Sequence, residues 1–255
     1  MHSNAAMTRM NQALASRTFV KVIAGIENFD AAHVLNVVAA ATAAGAHAVD
    51  IAADAALIAQ VKAATNLAVF VSATEPAKLI AAAEAGADVL ELGNFDAMYA
   101  QGIEPTAEEI LGWTREVKAA VGDRVPLCVT ISGRLPLAVQ LDLATSLQAA
   151  GADIIQSEGV QSAVDVVDTQ SAIASITNAL ANAAEIRRVI ELPVFVAGGI
   201  TAANAAFAIA AGANGVGVGR AVSRCATVAE MEFVTASVLK ALEGIRSAGA
   251  TLAAA

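Results

Sequence analysis

Cysteine is scarce: the 255 residues contain two, Cys128 and Cys225, far apart and in no CxxC spacing. That excludes a disulfide framework and a cysteine-based metal site, and it suits a reducing compartment. Aromatic residues are 4% and charged residues 15%, and no block of lysine or arginine is interleaved with aromatics. A nucleic-acid surface is therefore not expected. Basic residues number 15 against 24 acidic, a formal net charge of −9. An acidic chain can still hold a small anion, because the local field decides. Long apolar runs are missing as well. The best candidate, Val37–Ala41, stops at Thr42, so no segment is expected to span or bind a membrane. The opening stretch MHSNAAMTRMNQALASR lacks the apolar centre of a secretory signal. A cytoplasmic location is the expectation.

What the chain has in quantity is alanine and aliphatic residues: 57% are hydrophobic and mean hydropathy is +0.62. Four segments share one frame: GAHAVDIA from Gly45, GADVLELG from Gly86, GADIIQSE from Gly151 and GANGVGVG from Gly212. In each, a glycine ends an alanine-rich helix and a short apolar strand follows. The runs VKVIAGI (20–26), AVFVSA (68–73), PLCVTIS (126–132) and PVFVAGG (193–199) complete a set of eight strands. Helix starts are marked by capping boxes at Thr106/Glu109 and Thr227/Glu230, by Pro76 and Pro136, and by Asp30 as an N-cap. Strands alternating with helices imply parallel strands and right-handed crossovers. The fold class expected is α/β, one (β/α)8 barrel over residues 1–255, with 1–18 a helical extension and 247–255 a flexible tail. A doubly wound open sheet is the runner-up, but none of the eight runs reads as a polar edge strand.

Strand parity then assigns the polar residues. In the shared frame Asp50, Glu91, Gln156 and Gly217 occupy one position, and Ala52, Gly93, Glu158 and Gly219 lie two further on. Residues two apart face the same way. A carboxylate facing outward would be buried unpaired under a helix, so these acids should point into the barrel. Lys21, Ser72 and Thr130 are the matching polar breaks in other strands. Lys21, Asp50, Glu91 and Glu158 are thus candidate catalytic residues, with Asn28, Ser72, Asn94, Thr130 and Gln156 as substrate-binding candidates. The alternative is an internal ion-pair network in which Asp50 and Glu91 hold Lys21 to seal the barrel. Lys21, flanked by Val20, Val22 and Ile23, is expected to have a lowered pKa suited to a Schiff base; a charged lysine stabilising an enolate fits the same position. Cys128 is read as inert filler, and His33 and His47 as surface or packing residues. Phe95 and Tyr99 are expected to form part of a lid over the mouth, with 159–170 a second lid.

Gly198-Gly199 closes the seventh strand and Gly219-Arg220 the eighth. The loops after these strands, with a helix N-terminus, form the usual phosphate site of a barrel. The amides of Gly199, Ile200, Gly219 and Arg220 are the expected donors, with Gly198 in the same loop. Gly215 and Gly217 are read as packing glycines.

These two loops resemble those of the phosphate-binding barrel superfamily, which includes thiamine-phosphate synthase, phosphosugar epimerases and FMN-linked oxidoreductases. More narrowly, KVIAGIENFD (21–30), VDIAAD (49–54), ELGNFDAMYAQGI (91–103), CVTIS (128–132) and IIQSEG (154–159) resemble the plastid and cyanobacterial family of hypothetical chloroplast reading frame 23. The resemblance covers nearly the whole chain. It implies the barrel and a photosynthetic lineage, and hence a stromal location where the chain is plastid-borne, but no chemistry. Three functions follow as expectations. The first is an enzyme acting on a small phosphorylated metabolite by acid–base, lyase or isomerase chemistry, with no cofactor. The second is an FMN-binding oxidoreductase using the same loops. The third is a non-catalytic metabolite-binding or assembly protein. A homo-oligomer built on alanine-rich helices such as 31–44 is a further possibility.

Overall fold

The computed structural model describes residues 2–93, 95, 98–99, 101–159 and 168–253. Eight parallel strands close into a barrel in sequence order. In chain order the elements are α1 (His2–Ala15), β1 (Phe19–Gly25), α2 (Ala31–Ala44), β2 (Ala48–Ala52), α3 (Ala55–Ala64), β3 (Ala68–Ala73), α4 (Pro76–Glu84) and β4 (Val89–Leu92). Then come α5 (Ala107–Val121), β5 (Leu127–Ile131), α6 (Leu137–Ala149), β6 (Ile154–Glu158), α7 (Thr169–Ile186), β7 (Val194–Ala197), α8 (Ala205–Ala210), β8 (Gly215–Val218), α9 (Arg220–Ser223) and α10 (Val228–Ala253). All eight expected strands are present, and the open-sheet alternative falls away because β1 pairs with both β2 and β8.

The helix signals act as local chemistry dictates. Asp30 accepts from the N–H groups of Ala32 and His33, and Thr106 with Glu109 makes a reciprocal capping box. Glu230 accepts from the N–H of Thr227 while Thr227 Oγ1 accepts from that of Glu230. Pro76 opens α4, where its missing N–H costs nothing. The last helix runs to Ala253, so the segment expected as a tail from 247 is helical that far. The backbone hydrogen bonds of a long helix simply continue.

The core has two parts. Outward-facing residues such as Val20, Val22, Val49, Ile51, Val69 and Val71 pack under the helices. Inward-facing Phe19, Ala48, Phe70, Val89, Cys128, Ile154 and Phe195 form a separate plug, closed from below by Ala6, Met10, Ala13 and Leu14 of α1. The N-terminal extension is therefore the floor of the barrel. The alanine-rich α2 turns Val34, Val37, Val38, Ala40 and Ala41 inward and packs against α10 of its own chain.

The shared four-copy frame has a physical cause. The residue just before each even strand is His47, Asp88, Asp153 or Asn214, and each accepts a backbone N–H from the odd strand before it. Val20 donates to His47 Nδ1 at 3.1 Å, Val69 to Asp88 at 2.9 Å, Leu127 to Asp153 at 2.8 Å and Val194 to Asn214 at 2.9 Å. A buried strand-end donor must find a partner, and here a side chain supplies it.

Candidate functional site

Above the aromatic plug the inner face turns polar. Lys21, Asp50, Ser72, Glu91, Thr130 and Gln156 are all at most 1% exposed. Lys21 Nζ pairs with Glu91 Oε2 and lies 3.4 Å from Asp50 Oδ2. Ser72 Oγ donates to the other oxygen of Asp50. The ammonium also sits 5.0 Å and 4.8 Å from the ring centres of Phe70 and Phe195, within cation–π range. Gln156 Nε2 donates to Thr130 Oγ1 at 2.9 Å. Parity thus places every one of these side chains inside the barrel.

The electrostatics correct one expectation. Burial works against the charge of Lys21, but Asp50 and Glu91 together outweigh it, so its pKa is raised. The valines beside it in sequence face the helices, and its real neighbours are carboxylates across the sheet. A lowered pKa, the mark of a Schiff-base lysine, is absent. Burial pushes Glu91 up to about 7, opposed chiefly by the Lys21 charge. One cation among two buried carboxylates leaves a net negative charge, and a proton on Glu91 relieves it. Burial also raises Cys128 well above the ordinary thiol range, with Glu91 adding to the effect. A thiol held protonated is a poor nucleophile, in line with filler. His47 is spent on Val20, and burial lowers its pKa.

Nearer the mouth, Glu158 is 6% exposed and accepts from Tyr99 Oη at 3.2 Å. The same phenol is hydrogen-bonded to Ser132 Oγ at 2.5 Å, and the Arg134 guanidinium stacks 4.0 Å from the ring centre. Burial and the Glu158 charge hold the Tyr99 hydroxyl firmly protonated. Tyr99 therefore covers the ends of β5 and β6. Phe95 does not: it is fully buried in the outer core. Ser132 lies two residues beyond Thr130, so strand parity could have placed it inward, whereas Arg134 carries no signal, since only the packed loop brings it to Tyr99. Asn28 spends its amide on its own loop, donating to Ala24 O at 3.1 Å and accepting from Asp30 N at 3.2 Å. Asn94 and positions 160–167 of the second expected lid lie outside the described residues.

The glycine run 212–219 now resolves by position. Gly212 ends a helix with φ of 104°. A Cβ on Gly215 would strike the Phe19 carbonyl, and one on Gly217 would crowd Ile23 at 3.1 Å and Ala197 at 3.2 Å. On Gly219 the nearest atom would be 3.6 Å away, ordinary contact. Packing demands the earlier glycines and leaves Gly219 unexplained. Across from it, Gly198 and Gly199 have φ of 88° and 74°, and Ile200 is buried. Asn204, itself fully buried, donates to Gly199 O at 2.9 Å and accepts from Thr201 N at 2.8 Å, which fixes this loop. Sequence reasoning missed Asn204, whose role depends on the folded loop that its side chain ties together. Arg220 is exposed at the start of α9. Among the described residues no group of three or more His, Cys, Asp or Glu side chains is placed to hold a metal ion. No helix there is long and apolar enough to cross a membrane.

Comparison with known proteins agrees with this architecture. The 3-hexulose-6-phosphate synthase structure superposes with a TM-score of 0.66 at 16% identity, covering 88% of this chain and 99% of that one. Thiamine phosphate pyrophosphorylase of Pyrococcus furiosus superposes with a TM-score of 0.58 at 18% identity, covering 91% and 98%. At these identities the likeness shows the fold. In sequence, "Uncharacterized protein ycf23" of Cyanophora paradoxa is 34% identical over 225 residues, covering 88% of this chain and 92% of the relative. The family model described as "Protein of unknown function (DUF561)" matches residues 4–247. The chain belongs to the DUF561 family and to the ycf23 proteins, the family that its motifs resemble.

Proposed function

We propose that this barrel is an enzyme acting on a small phosphorylated metabolite, by proton transfer next to a carbonyl or by the related lyase step. The observation that carries the reading is convergence. Polar side chains from six strands meet inside the barrel, toward the end where the β7 and β8 loops present bare glycine backbone. The phosphate sits against the amides around Gly199 and Gly219, where a missing side chain allows close approach. Glu91, near neutrality in its proton affinity, exchanges the proton. Glu158 serves as the partner carboxylate nearer the mouth. Lys21 acts as a fixed ammonium that stabilises developing negative charge, not as a nucleophile. The structurally similar 3-hexulose-6-phosphate synthase and thiamine phosphate pyrophosphorylase, both named for phosphorylated compounds, support a phosphorylated substrate.

A second reading has its own observation. Lys21, Asp50 and Glu91 are sealed from solvent in this structure, which suits an internal strut in a non-catalytic binding protein. Calorimetric titration of the chain with inorganic phosphate, together with native mass spectrometry of copurifying small molecules, tests the first reading. Phosphate binding that is lost in Gly219→Leu is the expected result; no phosphate binding by the unaltered chain would falsify it.

A further inference from the structure

Three buried side-chain atoms lack a hydrogen-bond partner among the described residues: Gln140 Oε1, Gln156 Oε1 and Thr201 Oγ1. Gln156 alone lies on the inner face of the barrel, and it is 1% exposed. A buried acceptor with no donor is costly, and such atoms are rare unless something else meets them.

The amide is deliberately held. Gly93 has φ of 147°, and a Cβ there would collide with the Thr130 side chain. The glycine thus clears the space that Thr130 fills. Thr130 Oγ1 then accepts from Gln156 Nε2, which fixes the amide plane. With its oxygen engaged as acceptor, the Thr130 hydroxyl retains a proton to give. A donor and an unmet acceptor therefore stand side by side. Exchanging the amide O and N leaves the same need: Thr130 would donate to the amide oxygen and the NH2 would lack an acceptor.

We infer that the Thr130–Gln156 pair reads a hydroxyl group of the substrate, making Gln156 a specificity-determining residue. A hydroxyl both donates and accepts, so it satisfies either amide orientation. A carbonyl cannot donate and an ammonium cannot accept. A neutral group is also what the layer tolerates, because Lys21 is already matched by Asp50 and Glu91. The substrate class is then a phosphate ester bearing a free hydroxyl along its carbon chain, a polyol or hydroxy-carbonyl phosphate. This rests on the phosphate reading given under Proposed function.

The test uses the full chain and three probes: inorganic phosphate, ribitol 5-phosphate and pentyl phosphate. The two esters have the same carbon chain and differ in hydroxyls. The unaltered protein should bind the ribitol ester about tenfold or more tighter than the pentyl ester, since a site built for a hydroxyl rejects its absence. Gln156→Met and Thr130→Val should each bring that ratio close to one while leaving inorganic phosphate binding unchanged. No preference in the unaltered chain, or one that survives in both variants, overturns the inference and spares the phosphate reading. If none of the three probes binds, the phosphate reading fails and takes the hydroxyl reading with it. A crystal structure with ribitol 5-phosphate checks the contact itself: a sugar hydroxyl on Gln156 supports it, and a water that stays on Gln156 under the bound ester overturns it.

Discussion

At the N-terminal end of the barrel, His47, Asp88, Asp153 and Asn214 each accept the N–H of a neighbouring strand. Toward the other end, Lys21, Asp50, Ser72, Glu91, Thr130 and Gln156 bond to one another. Both sets are polar residues in a largely apolar chain, yet their partners differ in kind. A side chain that serves the backbone completes the sheet and has a fixed duty. Side chains that serve one another could be replaced together by apolar residues of like volume, often without loss of stability. Their retention at the end that also bears bare glycine loops is what the functional reading explains.

The sharpest way to break this comparison is Lys21→Met. Removing the cation strands two buried carboxylates, and a loss of about 3–5 kcal/mol is expected from chemical denaturation. The triple change Lys21→Met, Asp50→Asn, Glu91→Gln should recover most of it, because no buried charge remains. A single variant that loses less than about 1 kcal/mol would mean that water reaches the cluster and that it is no strut.

Asp88 tests the other end. Its side chain is buried and accepts from Val69 N–H and from Lys62 Nζ, the latter at 2.5 Å. Asp88→Ala should cost about 1–3 kcal/mol by leaving a buried strand donor unmet. Asp153, whose side chain is 43% exposed, should cost less on the same change. Equal losses at both sites would contradict a role set by burial.

Most of the fold was legible in the sequence because its causes are local. The Gly-Ala-x frame marks a helix end, a strand-end acceptor and a strand within eight residues. Capping at Asp30, Thr106 and Thr227 likewise depends on residues three apart or fewer. Strand parity carried the inward set, since the alternation is geometric. What escaped depends on contacts between distant strands. The proton affinity of Lys21 follows Asp50 and Glu91, not the adjacent valines. Phe95 and Tyr99 share a segment, but one turns into the core and the other caps the mouth. Nothing along the chain announces that Gly93 makes room for Thr130.

The proton on Glu91 gives a smaller, pH-dependent effect. Its pKa rises from an ordinary 4.5 when unfolded to about 7 when folded. Between those values the folded state holds more protons than the unfolded one, so stability falls as pH rises through the window. The melting temperature of the unaltered chain should therefore decline from about pH 5 to pH 7 relative to that of Glu91→Gln, which has no such proton. Parallel pH profiles for the two proteins would show that Glu91 stays ionised throughout.

The smallest effect on stability is expected at Gly219, and that is its use. A Cβ there meets nothing closer than 3.6 Å. Gly219→Ala should change stability by no more than about 0.5 kcal/mol, as for substitutions away from buried features. Gly217→Ala, two residues earlier on the same face, must instead displace Ile23 or Ala197 and should cost more. For phosphate the order inverts. On the proposed reading a methyl group at Gly219 stands where the anion would approach the backbone, so affinity for inorganic phosphate should drop while the fold is kept. If Gly219→Ala binds phosphate as the unaltered chain does and Gly219→Leu also does so, the anion is not held at this loop. The glycine would then mark only the turn into α9.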